Sequence, residues 1–239
     1  MEIDLNIQPI NKFGEQYFMK KIALIVAAGN GSRMNSDIPK QFLLLKNKPV
    51  LYYSIKAFLD SYENIEIILV LPSEHIAKGQ EIIDGYFDSS KFKITAGGRT
   101  RFHSVKAGLS LINHEAIVFV HDGVRCLLTS GMIKRCYESA LEFGTAVPTV
   151  ECRDSMRMVT KNGNKIIDRS KIKFVQTPQT FHSKILLPAF EIDYKEQFTD
   201  EASVVEAFGL KINLMEGEVN NIKITTPQDL KLASLLLPE

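Results

Sequence analysis

The strongest constraint on this chain is a series of apolar runs of strand length separated by segments of helical spacing. "IALIVAA" (22–28) is apolar throughout, and "IEIILVLP" (65–72) nearly so. Continuous runs of this kind belong to strands buried on both faces, as in parallel sheets. "KFKITAGG" (91–98), "EAIVFVHDG" (115–123) and "TAVPTV" (145–150) read as three more strands. Between them "VLYYSIKAFLD" (50–60), "RTRFHSVKAGLSLI" (99–112) and "TSGMIKRCYESALEFG" (129–144) carry helical spacing, the last closed by a glycine. Ser73 is placed to cap a further helix after the second strand. Strand alternating with helix predicts an α/β fold with a mostly parallel sheet and right-handed crossovers.

Residues 151–176 break that rhythm. "ECRDSMRMVTKNGNKIIDRSKIKFVQ" is charged and alternating, with Asn162-Gly163-Asn164 at its middle. That is the pattern of a hairpin around an N-G turn. It offers little to a core, so a hairpin projecting here covers a site or grips a partner subunit. Helices over 182–191 and 199–209, a strand over 211–217 and the segment 221–237 complete the chain. In the last segment Thr226 reads as an N-cap, Pro227 as the first helical residue and Asp229 as a first-turn acid. Without repeats or linkers, residues 19–239 read as one domain with an arm at about 151–176. Residues 1–18 are polar and weakly periodic, and read as a disordered or non-native extension.

Composition narrows the partners. Lysine plus arginine against aspartate plus glutamate is 29 against 28, a net +1, so no global field draws nucleic acid or membrane. Any anion site must be built locally. No apolar run approaches the roughly 18–20 residues of a membrane span. The three cysteines, Cys126, Cys136 and Cys152, form no C-x-x-C pair, which fits a reduced cytoplasm.

Ligands of open parallel sheets bind beyond the carboxyl ends of the strands. The first strand ends at Ala27-Ala28-Gly29, the third at Gly97-Gly98-Arg99 and the fourth at His121-Asp122-Gly123-Val124-Arg125. A last strand ends around Lys223-Ile224-Thr225. The loop "AAGNGSRM" (27–34) lacks the third glycine of a dinucleotide fingerprint and the Gly-Lys-Ser/Thr of a P-loop. It does offer glycines that let backbone N–H groups approach an anion, with Arg33 and Lys40 nearby. A tight turn with solvated basic residues explains a lone G-x-G equally well. Asp122 at a strand end is a ligand type for Mg²⁺, and a turn cap is its ordinary alternative. Arg101 and Ser104 open the helix after Gly97-Gly98. Cys126, beside Arg125, is either an activated thiol or a buried inert one. Arg33, Lys40, Lys223 and Asp122 converge by the strand-end rule on one sheet edge, with no nucleophile–base pair among them. Cations gathered around a carboxylate suit phosphoryl or nucleotidyl transfer, which works by positioning and charge neutralisation.

Seven motifs, "AAGNGSRM…PKQ", "GGRTRFHSVKAGL", "VHDGVRC", "RDSMRM", "DRSKIKFVQTPQTF", "TDEAS" and "NIKITTPQDL", give the chain a resemblance to the 2-C-methyl-D-erythritol 4-phosphate cytidylyltransferase family, from about residue 20 to about 237. The resemblance implies a three-layer, Rossmann-like nucleotidyltransferase fold and a homodimer. It implies that CTP lies over Ala27, Ala28, Gly29, Gly31 and Arg33, with Lys40 on the phosphates and Gly97, Arg101 and Ser104 beside the nucleotide. Arg33, Lys40 and Lys223 are the implied catalytic cations. Asp122, Gly123, Arg125, Thr199 and Lys223 would line the sugar-phosphate pocket, with Asp122 also at Mg²⁺ or another divalent cation. Ser155 and Arg169, on the hairpin, would reach the neighbouring subunit's substrate phosphate.

The chain departs from the family's usual pattern at Gly123, where alanine is common, at Cys126, where proline is, and at Ser155, where threonine is. None of these removes a charge that the chemistry needs. Gly123 is expected to loosen its turn. The alternative activity is that of ribitol-5-phosphate cytidylyltransferase, which shares the nucleotide loop and makes CDP-ribitol.

Overall fold

A computed structural model describes residues 19–29, 34, 36 and 38–237. The N-terminal extension, Gly31 and Arg33 lie outside the described residues. Strand β1 (Lys20–Val26) leads to a small hairpin of β2 (Leu44–Leu45) and β3 (Lys48–Pro49), then helix α1 (Val50–Ser61) and β4 (Ile65–Leu71). Helix α2 (Ile76–Tyr86), β5 (Phe92–Ala96), α3 (Arg101–Leu109), β6 (Ala116–Asp122), α4 (Ser130–Phe143) and β7 (Thr145–Glu151) continue the alternation. A separate hairpin of β8 (Met156–Thr160) and β9 (Gly163–Ile167) precedes β10 (Lys173–Val175) and β11 (Gln179–His182). Helices α5 (Ser183–Ala189) and α6 (Glu201–Ala207), β12 (Leu214–Glu216) and α7 (Pro227–Leu236) end the fold.

The main sheet runs β10-β7-β11-β6-β1-β4-β5, with β12 on the other side of β7. Strands β5, β4, β1 and β6 pair in parallel. β11 enters antiparallel between β6 and β7, and β10 is antiparallel to β7. The sheet is therefore mixed but mostly parallel. Burial explains why the strand sequences are apolar without alternation. On β1, Ile22 and Leu24 face a core built with Phe102 and Val105 of α3, Leu186 of α5 and Val204 of α6. Ala23 and Ile25 face a second core with Ile55 and Phe58 of α1, Ile83 of α2 and Met132 of α4. Two helical layers thus cover the sheet, giving the three-layer α/β fold that the strand–helix alternation predicts.

The ends of the elements follow local chemistry. Thr226 caps α7 and Asp229 returns the bond in a capping box, with Pro227 at the first turn. Gly144 closes α4 with φ 79°. Several expectations need correction. Ser73 does not cap α2: it opens a short 3-10 turn, and its hydroxyl bonds Glu74. Residues 221–225 are not a strand. Ile224 N donates to Val124 O at 3.0 Å, but no ladder forms. The hairpin closes on Lys161 and Asn162, because Thr160 already pairs with Gly163. Residues 173–175 belong to the main sheet rather than to the hairpin. Strand β11 lies between the expected hairpin, which ends at 176, and the helix expected from 182, where the sequence predicts no element.

Candidate active site

The tips of β1, β5 and β6 meet where the strand-end rule places them. Ala27 N donates to Val70 O and Gln41 Nε2 to Ala27 O, which fixes the start of the 27–34 loop. Gly97 packs against it so closely that a Cβ there would lie 2.5 Å from Ala28 Cβ. Gly98 N donates to the buried Ser104 Oγ at 3.1 Å, so that hydroxyl tethers the turn. Gly123 is also tightly packed: a Cβ would come 3.0 Å from Ala27 Cβ and 3.1 Å from Leu51 Cδ1. The turn is closed by Gly123 N to Val26 O and Arg125 N to Asp122 O, both 2.9 Å. Nothing in this geometry is loose, so glycine here permits close packing rather than slack.

Asp122, the last residue of β6, is the electrostatic centre. Lys223 Nζ stands 2.8 Å from its Oδ2. Arg101 Nη2 is 3.2 Å from its Oδ1, and Arg125 Nε is 3.8 Å from its Oδ2. Burial pushes the Asp122 carboxyl upward, but Arg101 and Lys223 outweigh it and hold the group well below the usual carboxylate range. Burial also works against the charge on Arg101, yet Glu201 and Asp122 hold its guanidinium above its usual value. Glu201, the first residue of α6, is buried and pairs with Arg101. Arg125 donates from Nη1 to Asn221 O at 2.7 Å. Lys40 Nζ donates to Ile224 O at 3.2 Å, next to Lys223. Lys40, Arg101, Asp122, Gly123, Arg125 and Lys223 are therefore brought together with Ala27, Ala28, Gly29, Gly97 and Ser104 around the β1, β5 and β6 tips. Thr199 is exposed just before α6. Ser155 and Arg169 are exposed at the hairpin base, where Arg169 donates to Arg153 O. Among the described residues no hydrogen bond or ion pair joins them to the Asp122 cluster.

Three groups here have no role assigned to them by the sequence pattern. Glu201 lies inside the quoted "TDEAS" motif, but its pairing depends on a helix start 100 positions from Arg101. Thr177 Oγ1 accepts from Asp122 N at 3.0 Å. His121 lies beneath both. Its Nε2 is 3.2 Å from Arg125 O and its Nδ1 3.1 Å from Thr177 Oγ1. A carbonyl only accepts, so Nε2 carries the proton and Nδ1 accepts from the threonine. Complete burial lowers the His121 pKa from 6.5 to about 4, with Asp122 opposing and Arg125 reinforcing the shift. Between these values the unfolded chain binds the proton and the folded one does not. Stability is therefore expected to fall as pH drops from 6.5 toward 4, by about 3 kcal/mol in all from this residue. Melting midpoints at pH 7 and pH 5 check this, and His121→Gln should flatten the dependence.

Cys126 is buried, and burial pushes its thiol up to about 12, so it is the inert alternative rather than an activated thiol. All three cysteines are free. No described helix is long and apolar enough to cross a membrane. A cavity of about 750 Å³ opens elsewhere, between β7, β10 and β12, lined by Arg153, Asp154, Lys173, Phe174, Leu214 and Val219 among others. It lacks the convergence of buried charge seen at Asp122.

The sequence profile of "IspD: 2-C-methyl-D-erythritol 4-phosphate cytidylyltransferase" matches residues 21–239. The chain is 44% identical over 219 residues to the 2-C-methyl-D-erythritol 4-phosphate cytidylyltransferase of Bacteroides thetaiotaomicron, covering 92% of this chain and 100% of that protein. It is 45% identical over 219 residues to the protein of the same name from Porphyromonas gingivalis, covering 91% of this chain and 98% of that one. The crystal structure of the Francisella tularensis enzyme of that name superposes with a TM-score of 0.74 at 31% identity, over 91% of this chain and 100% of that one. These relatives do not favour the ribitol-phosphate alternative. The chain belongs to the 2-C-methyl-D-erythritol 4-phosphate cytidylyltransferase family, and its activity is the transfer of CMP from CTP to 2-C-methyl-D-erythritol 4-phosphate.

Proposed function

We propose that this transfer takes place over the Asp122 cluster, with the triphosphate of CTP on the 27–34 loop. The observation that carries this reading is the convergence of Arg101, Arg125 and Lys223 on one buried carboxylate, with Lys40 bonded to the Ile224 carbonyl beside Lys223. A phosphate oxygen of methylerythritol phosphate attacks the α-phosphorus of CTP. The new O–P bond forms as the bond to the β-phosphate bridging oxygen breaks, and pyrophosphate leaves. The nucleophile is already an anion, so no general base is required. The obstacle is repulsion between two anions, which Lys40 and Lys223 offset, with Arg33 the third cation of the assignment. Ala27, Ala28, Gly29 and Gly31 would approach the phosphates by backbone. Arg101 and Ser104 would hold the nucleotide side, Arg125, Gly123 and Thr199 the sugar phosphate.

Among the described residues no three His, Cys, Asp or Glu side chains form a metal-ligand group. One ionised carboxylate at the strand tip nevertheless suits Mg²⁺, which is commonly held by one or two carboxylates plus substrate phosphates. Asp122 would hold it, and the metal would supply further neutralisation of phosphate charge. The hairpin is assigned to a homodimer. Two-stranded hairpins are at best marginal alone, and Val159 and Ile166 are 84% and 75% exposed on this one. Ser155 and Arg169 at its base would then complete the partner's sugar-phosphate site. The reading places the enzyme in the cytoplasm.

Pyrophosphate release with CTP, Mg²⁺ and each sugar phosphate in turn tests the assignment. Methylerythritol phosphate is expected to support turnover and ribitol 5-phosphate to support little. In the same assay Arg169→Ala should raise KM for the sugar phosphate roughly tenfold while KM for CTP changes little. Equal effects on both would remove Arg169 from the sugar-phosphate pocket.

A further inference from the structure

Arg101 is the only cation of the cluster bonded to two buried carboxylates among the described residues. A guanidinium has five N–H donors. Nε and Nη2 donate to Asp122 Oδ1 at 3.3 and 3.2 Å, Nη2 donates to Glu201 Oε2 at 3.1 Å, and Nη1 donates to Glu201 Oε1. Four of these donors are spent on carboxylates, which leaves one on Nη1 for any ligand. Arg101 is thus built less as a phosphate clamp than as a strut against Asp122.

We propose that Glu201 is a positioning residue for the cytidylyl transfer: it grips the far side of the Arg101 guanidinium and so fixes how Arg101 meets Asp122. This rests on the reading that the Asp122 cluster is the reaction site. The grip is itself held rigidly. Gln179, buried on β11, donates to Asp200 Oδ2 and accepts from Ala202 N, both at 2.8 Å. These are the two neighbours of Glu201 in sequence. Asp200 also caps α6 through a reciprocal pair with Ser203. Gln179 stands opposite Val120 on β6, the strand that ends at Asp122. One scaffold therefore carries both carboxylates that flank the guanidinium. A buried ion pair is a weak source of stability in itself. The Arg101 side chain keeps 24% of its surface open, whereas that of Glu201 keeps 1%. The geometry serves the open side.

Glu201→Gln places an amide donor against the guanidinium and releases it on that side. Its kcat/KM for CTP is expected to fall roughly tenfold or more, and Glu201→Asp, which keeps the charge, should recover part of the loss. Arg101→Met and the double variant Arg101→Met/Glu201→Gln separate positioning from stability. The double variant removes both charges, so its melting midpoint should return toward wild type, while its kcat/KM stays at the level of Arg101→Met. Two results would overturn the role of Glu201: a folded Glu201→Gln with kcat/KM within about twofold of wild type, or a full additional loss when it is combined with Arg101→Met. Unchanged kinetics in Arg101→Met itself would instead sink the strand-tip reading of Arg101, and Glu201 with it.

Discussion

Asp122→Asn is expected to lower kcat/KM by on the order of 10²–10³-fold. Asparagine keeps the shape of the side chain and removes its charge. Arg101, Arg125 and Lys223 would then face one another around a neutral amide, where they now share a carboxylate. Removing one partner of a buried charge cluster costs about 3–5 kcal/mol when the remaining charges are fully enclosed. Here the side chains of Arg101 and Lys223 are 24% and 38% exposed, so water screens part of that repulsion. A stability loss of about 2 kcal/mol is the expected scale. Steady-state kinetics and a thermal melt on the same preparation separate the two effects. Activity within a few-fold of wild type would remove Asp122 from the reacting centre.

Lys223→Ala is expected to cost roughly 10²-fold, chiefly in kcat, with little change in melting midpoint. The ammonium is a compact point charge, suited to a phosphoryl oxygen whose charge grows in the transition state. Its 2.8 Å contact with Asp122 holds it at the strand tip, while its exposure leaves it open to a ligand. That exposure is also why little stability depends on it. A rise in KM for CTP with kcat unchanged would make Lys223 a ground-state binding group only.

The contrast between these two residues shows what the sequence could convey. Asp122 follows a continuous apolar run, and a polar residue at such an end is visible from the pattern alone. Lys223 stands in a segment expected to be a strand, and no strand forms there. It reaches the site because Ile224 N docks on Val124 O and Lys40 Nζ docks on Ile224 O. The strand-end rule gave the right neighbour for the wrong local reason. The main strands were legible because each buries both faces, which removes alternation and leaves a plain apolar block.

What was not legible is short, polar or long-range. Strand β11 reads "QTFH", four residues with a buried Gln and a buried Thr, and has no periodicity to detect. Its role comes from its place between β6 and β7, which only the topology supplies. Glu201 is a first-turn acid after the Asp200 cap, a position where acidic residues are common and carry no signal of a distant partner. Its pairing with Arg101 appears only when α6 is laid beside α3. The β2–β3 hairpin turns through Lys46 and Asn47 at φ 43° and 64°, and of these two only Asn carries a known leaning toward that region. Gly31 and Arg33 lie outside the described residues, so their assignment rests on the family pattern.

A crystal structure of this protein with CTP and Mg²⁺ decides whether the triphosphate lies at the Asp122 strand tips. The triphosphate is expected along residues 27–34, with the α-phosphate within hydrogen-bond reach of Lys223 Nζ and the Lys40 ammonium turned toward the phosphates. A triphosphate lodged instead in the cavity between β7, β10 and β12, with Asp122, Lys40 and Lys223 untouched, would contradict it.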